Sequence, residues 1–231
     1  MSQQKRYLAH VNTQAGMHDQ KPEWVVAPVP VPYAQAVREM ESLVEAVAAG
    51  AARERIWLLE HLPVLTAGTS AHPSELIDAD RFDVIPTGRG GRYTYHGPGQ
   101  RVVYPILNLG QRGRDVRRYV AALEAWAIAA LGDLGIAAFT HDAGTGIWVR
   151  QGGQLAKIGA IGVRVRRWTT FHGMAINVST DLSHYGAIIP CGISTHGVTR
   201  VSDIMNGTGM QDLDRALAFH LPEFLFALSD I

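Results

Sequence analysis

The chain has 231 residues, with Lys+Arg and Asp+Glu balanced at 21 each and apolar residues at 47%. That length suits one domain with a substantial core. The charge balance excludes the basic footprint of a nucleic-acid binder, and no apolar run approaches the ~20 residues of a membrane span, so neither nucleic acid nor membrane is an expected partner. A single cysteine, Cys191, excludes an internal disulfide framework. With an opening, "MSQQKRYLAHVNTQ", that lacks an apolar signal core, it points to a reducing cytoplasm.

Residues 1–31 are polar and then proline-spaced ("APVPVP", 27–32), which predicts a poorly ordered lead-in to a single domain over 32–231. From Tyr33 to Ala49 the apolar residues Val37, Met40, Val44 and Val47 recur at three and four, and Gly50 follows as a stop, the pattern of an amphipathic helix. "RIWLLEHLPVLTAG" (55–68) reads as a short strand running into a loop, and "QRVVYPILNLG" (100–110) as a second strand. Between them, "GRGGRYTYHGPGQRVVYP" (88–105) carries Gly88, Gly90, Gly91, Gly97 and Gly99. Such glycines let the backbone approach a ligand closely. The stretch matches neither GxxxxGK[ST] nor GxGxxG, so a phosphate cradle is not indicated.

Residues 114–131 form a second helix, with Val116, Val120, Leu123 and Ile128 expected inward. Arg114, Arg117 and Arg118 cluster at its start, against the macrodipole, either as solvated charge or as a partner surface. "GIWVR" (146–150), "KIGAIGVRVRR" (157–167) and "TTFHGMAINVS" (169–179) read as neighbouring antiparallel strands. The C-terminal segment has helical spacing at Leu213, Leu217, Leu221, Phe224 and Leu228, but Pro222 predicts a kink or two shorter helices. Without steady β-α-β alternation the fold class is α+β, two-layered, with a mixed, largely antiparallel sheet and flanking helices.

Two residues stand out for their chemistry, Lys157 and Cys191. Lys5, Lys21 and Lys157 are the only lysines among 21 basic residues, and Lys157 alone lies in an apolar strand, "AKIGAIGVRV". Arginine cannot release its proton, whereas a desolvated lysine can act as a base or proton donor; a strand-end lysine reaching into water is the plain alternative. Cys191, in "IIPCGI", follows a proline and precedes a glycine, a turn that presents the sulfur; it is a buried filler, a metal ligand or a nucleophile. His172, His184, Cys191 and His196 fall close together, but neither CxxC nor HExxH occurs, and no metal site is assigned.

Taken together, "RGGRYTYHGPGQ" (89–100), "KIGAIGVRV" (157–165), "HGMAINV" (172–178) and "PCGI" (190–193) resemble, in order and spacing, the lipoyl(octanoyl) transferases, and "IWLLEHLPVLTAG" (56–68) looks like that family's early strand. The resemblance implies a fold similar to the biotin and lipoate protein ligase catalytic domain. It implies movement of an octanoyl group from acyl carrier protein to the target lysine of lipoyl domains. Those domains belong to 2-oxo-acid dehydrogenases and the glycine cleavage H protein, and no cofactor is required. The implied catalytic pair is Cys191 and Lys157. The implied substrate-binding set is Arg89, Gly90, Gly91, Arg92, Tyr93, Thr94, Tyr95 and His96, with Ala160, Ile161 and Gly162, and Gly173, Met174 and Ala175. His96 is expected to position the donor or the loop. The arginines at 112–118 and 164–167 are candidates for docking the acidic carrier. The rivals are an ATP-dependent ligase of the same fold, a non-catalytic acyl-binding protein and a cysteine hydrolase.

Overall fold

The computed structural model describes residues 21–189 and 196–229. In chain order it contains strand β1 (Glu23–Val26), helix α1 (Tyr33–Ala48), β2 (Arg55–Leu59), β3 (Val64–Ala67), β4 (Val84–Pro86), β5 (Tyr93–His96) and β6 (Gln100–Ile106). Helix α2 (Val116–Asp133), β7 (Ile147–Gln151), β8 (Gln154–Arg166), β9 (Thr169–Asn177), β10 (Gly197–Val198) and α3 (Met210–Ala227) follow. The main sheet runs β1-β2-β6-β9-β8-β10, with β7 also on β8; a second sheet runs β4-β3-β5. The pairs β2–β6, β6–β9, β8–β9 and β7–β8 are antiparallel, and β1–β2 and β10–β8 are parallel. The α+β class with a mixed, mostly antiparallel sheet is what the sequence leads one to expect.

Each face of the main sheet has its own core. Helix α1 buries Ala36, Met40, Val44 and Val47 on one face, against Trp57, Leu59, Val102, Tyr104 and Ile106. Helices α2 and α3 cover the other, where Leu123, Trp126, Leu217 and Phe224 pack on Ile56, Val103, Met174 and Ile176. Trp126 stacks on Phe224 with ring centroids 4.5 Å apart and donates its Nε1–H to Leu217 O at 2.9 Å.

Four sequence expectations are corrected. Glu23–Val26, assigned to the lead-in, pairs in register with Arg55–Leu58 as an edge strand; four residues preceding a proline-rich turn carry too little pattern of their own. The 55–68 segment is two strands in different sheets, split at the turn after Leu59. Helix α2 begins at Val116, capped by Asp115, whose carboxylate accepts from the Arg117 and Arg118 N–H groups. Its inner stripe is Tyr119, Ala122, Leu123, Trp126, Ala127, Ala130 and Leu131, while Val116 is exposed and Val120 and Ile128 lie at the margin. The Val/Ile spacing misleads because alanine and aromatic side chains carry this interface. Finally, α3 is one helix through Pro222 rather than two shorter ones, held by its packing on α2.

Pro105 sits inside β6, a central strand, where its missing N–H breaks the ladder. The break is filled by Thr170, whose hydroxyl donates to Pro105 O at 2.7 Å and accepts from Leu107 N–H at 3.0 Å. Next to it His172 takes φ of 60°, a left-handed backbone. Gly173 packs so closely on the Val103 carbonyl that no Cβ would fit. The irregularity turns the His172 ring toward α1, where it enters the site described next.

Candidate active site

A cavity of about 490 Å³ lies between the α1 face of the main sheet and the glycine-rich segment that leads into β5. Its sheet wall is built of small residues from adjacent strands: Ala160 and Gly162 of β8 stand opposite Ala175 and Gly173 of β9. Val102 and Tyr104 of β6 continue that wall. A ligand can therefore lie along the sheet without meeting a large side chain until it reaches the ends.

One end is made by Lys157, which is 7% exposed and so does not extend into water. Its neighbours across the sheet are Trp148 of β7 and Val198 of β10. The register between β7 and β8 slips next to it: Ile147 pairs with Gly159 and Trp148 with Lys157, leaving Ile158 as an extra residue. Strict alternation would put Lys157 and Ala160 on opposite faces; the bulge lets both line the cavity. The Lys157 ammonium donates to Thr145 O at 2.8 Å and lies 5.1 Å from the centre of the Trp148 ring. A carbonyl and an aromatic face both favour a cation.

The other end is aromatic and polar. Tyr33 Oη lies 3.3 Å from His172 Nε2, and the Tyr33 ring lies parallel to those of His96 and His172. Behind them, His61 donates from Nδ1 to Val31 O at 2.8 Å, which leaves Nε2 to accept from Tyr104 Oη–H at 2.8 Å. Gln100 donates its amide to Tyr95 O at 3.1 Å, so its oxygen faces His96 and accepts from Nδ1 at 2.7 Å; Nε2 is then the acceptor of the His96 ring. Burial pushes all three histidines down: His61 to about 4, His172 to about 3, and His96 well below its ordinary value. The Arg89 guanidinium adds to this at His96 and His172. The rings are neutral at pH 7. Burial likewise pushes the Tyr33 hydroxyl up to about 12. Arg89 is itself buried, donating to Thr66 O at 2.9 Å, Thr66 Oγ1 at 2.6 Å and Gly90 O at 3.0 Å.

The structure brings most of the sequence-derived set together. Lys157, Arg89, Gly90, Gly91, Arg92, Tyr93, Thr94, His96, Ala160, Ile161, Gly162, Gly173, Met174 and Ala175 all line the cavity. Tyr95 does not: its hydroxyl meets His184 Nδ1 at 2.7 Å and its ring packs on Phe82 and Tyr185. Arg92 also forms an ion pair with buried Glu75. The sequence reading missed Tyr33, Tyr104 and Thr145. Tyr33 reads as the first residue of a helix and Tyr104 as a strand aromatic, and only the sheet order aims them at one place. His172, His184 and His196 have separate neighbours: Tyr33, Tyr95 and Trp148.

Cys191 lies outside the described residues, but the chain on both sides of it is tied down. Ile189 N–H donates to Glu75 O at 2.8 Å. Thr199 N–H donates to Lys157 O at 2.9 Å, and Asn177 holds Thr199 O at 3.0 Å. The arginine groups are largely engaged. Arg112 pairs with Glu54 at 2.6 Å, Arg118 donates to Ala227 O at 2.7 Å at the end of α3, and Arg166 and Arg167 both pair with Glu45. Among the described residues no helix is long and apolar enough to cross a membrane.

Comparison with known proteins places this geometry in context. Residues 32–221 match the family model described as the lipoyl protein ligase A/B catalytic domain. An octanoyltransferase of Rhizorhabdus wittichii is 55% identical over 206 residues, covering 89% of this chain and 92% of its own length. An octanoyltransferase of Sphingopyxis alaskensis is 55% identical over 205 residues, covering 88% and 94%. Among solved structures, a lipoate-protein ligase A bound with ATP superposes with a TM-score of 0.67 at 17% identity, over 90% of this chain and 86% of that one. A bipartite lipoate protein ligase from Thermoplasma acidophilum gives 0.65 at 16%, over 90% and 84%. At such identities the structural likeness speaks for the fold.

Proposed function

The chain belongs to the lipoyl protein ligase A/B catalytic-domain family, on the octanoyltransferase side of it, and from that premise we propose how it transfers its acyl group. The donor is an octanoyl thioester on acyl carrier protein, and the acceptor is the target lysine of lipoyl domains, those of 2-oxo-acid dehydrogenases and the glycine cleavage H protein. The setting is the cytoplasm, where a lone cysteine stays reduced. Cys191 is the nucleophile and Lys157 its proton partner.

The observation that carries this reading is Lys157 itself: a buried amine at one end of a cavity walled by alanine and glycine. The volume, about 490 Å³, lies within the range of small-molecule sites, and the wall suits an unbranched alkyl chain. The Lys157 ammonium holds Cys191 as its thiolate, and the thiolate attacks the octanoyl carbonyl carbon. The carbon–sulfur bond to the carrier breaks, and the departing carrier thiolate takes up a proton from that ammonium. The octanoyl group is now a thioester of Cys191. The lipoyl-domain amine then attacks this carbonyl, neutral Lys157 accepts the amine proton, and the amide leaves as the Cys191 thiolate is released, which restores the thiolate beside the ammonium. Exchange of one thioester for another is close to energy balance, so no nucleotide is needed. Lysine can hold and give up the proton; arginine cannot. His96, neutral and with Nε2 as its acceptor, and the backbone amide of Gly91 orient the donor.

The test is octanoyl transfer from octanoyl-acyl carrier protein to apo-lipoyl domain without nucleotide. Transfer that depends on ATP and free octanoate contradicts the reading in favour of the ligase. Release of free octanoate favours the hydrolase, and octanoate binding without turnover favours the acyl-binding protein.

A further inference from the structure

The peptide group that joins Thr145 to Gly146 is engaged at both of its ends. Its carbonyl accepts from Lys157 Nζ at 2.8 Å, and its N–H donates to Glu124 Oε1 at 3.0 Å. Glu124 projects from the middle of α2, half-buried, on the far side of this peptide from the lysine. We propose that Glu124 is a positioning residue for Lys157, acting through this one peptide group. The inference rests on the reading of Lys157 as the proton partner in acyl transfer.

Three features support it. A carboxylate that accepts from an amide N–H polarises the amide and makes its carbonyl a stronger acceptor, so the two hydrogen bonds reinforce each other. The loop has no slack at this point: Gly146 takes φ of 138°, and a Cβ there would collide with Lys157 Cε and come within 2.9 Å of Nζ. The preceding peptide is fixed separately, by Trp148 Nε1–H donating to Gly144 O at 2.9 Å. Trp148 thus holds the loop and offers its ring to the ammonium, while Glu124 sets the direction of the carbonyl that receives the amine. Without Glu124 the 145–146 peptide loses the partner on its N–H side, and the carbonyl that holds the amine shifts its direction at the cavity end. A displacement of about 1 Å at a reacting group costs on the order of 10²-fold in rate.

Glu124→Ala and Glu124→Gln separate this role from mere support of α2. In nucleotide-free octanoyl transfer, Glu124→Ala is expected to lower kcat by about 10²-fold while KM for both substrates stays near wild type. Glu124→Gln, whose amide oxygen accepts the same N–H, is expected to recover most of that loss. Wild-type kcat in Glu124→Ala, or equal losses in both variants, overturns the proposal. Should Glu124→Ala fail to fold, Glu124→Asp carries the test: its retracted carboxylate is expected to cut kcat about tenfold at unchanged KM, and wild-type kcat overturns the proposal. A second readout does not depend on the assigned reaction. With three lysines in the chain, ¹⁵N-lysine labelling gives few ammonium signals, and the Lys157 signal is the one lost in Lys157→Arg. That signal is expected to move in Glu124→Ala or Glu124→Asp and to stay near its wild-type place in Glu124→Gln. An unmoved signal in the Ala and Asp variants overturns the positioning role. Wild-type protein that transfers no octanoyl group while its lysine signal responds overturns the functional reading and leaves the positioning intact.

Discussion

The two ends of the cavity are equally dry and oppositely equipped. At one end Lys157 meets a carbonyl oxygen and the face of an indole, both of which welcome a positive charge. At the other, His61, His96 and His172 crowd one another, Tyr33 and Arg89, and desolvation strips them of theirs. At the histidine end burial itself is the main cause of the neutral rings, and at the lysine end the groups set around the amine are of a different kind. The difference gives the cavity a direction, with ionic chemistry at the lysine end and uncharged polar groups at the histidine end.

That contrast can be broken at either end. The largest effect is expected at the lysine: Lys157→Arg keeps the cation but removes the proton exchange, and kcat should fall at least ~10²-fold, ~2.7 kcal/mol in barrier, with the folded circular-dichroism signature kept. Turnover near wild type in that variant would dissolve the distinction between the ends. At the histidine end the effect is on stability. A histidine with a depressed folded pKa contributes stability that is present above its unfolded value near 6.5 and is lost as pH falls toward its folded value. The window therefore runs from 6.5 down to about 4 for His61 and about 3 for His172. Each such group contributes a slope of up to about 1.4 kcal/mol per pH unit there. Urea unfolding across pH 4–7 should show this acid loss, and His61→Gln should flatten it by about one proton's share; an unchanged slope means the ring is not held neutral. The smallest effect is expected from Tyr33→Phe, which removes the hydroxyl facing His172 Nε2. It should cost about 1 kcal/mol of stability, read by the same unfolding. A loss of activity exceeding that of Lys157→Arg would move the chemistry to the wrong end.

Much of this site is legible in the sequence because it is local. The glycine-rich segment, the small residues of β8 and β9 and a lysine alone in an apolar strand are read from neighbours along the chain. What escaped depends on distant parts meeting. Tyr33 and His172 are separated by 139 positions and touch because β9 turns one residue into a left-handed backbone opposite Pro105. Glu124 gains its partner only where α2 meets the 145–146 peptide, 22 positions further along the chain. Strand β1 has too few residues to announce itself and exists because β2 offers it an edge. The inner stripe of α2 was misphased because alanine and aromatic contacts, unlike a valine–leucine stripe, leave little periodic trace in sequence.

The central claim is that a sulfur and an amine of this chain share one acyl transfer. Intact-mass analysis after incubation with octanoyl-acyl carrier protein, in the absence of nucleotide, tests it most directly. The account expects wild-type protein to gain one octanoyl group, lost again on adding apo-lipoyl domain as that domain gains it, and Cys191→Ala to gain none. An adduct that persists in Cys191→Ala, or a wild-type protein that stays unmodified while transfer proceeds, would contradict it.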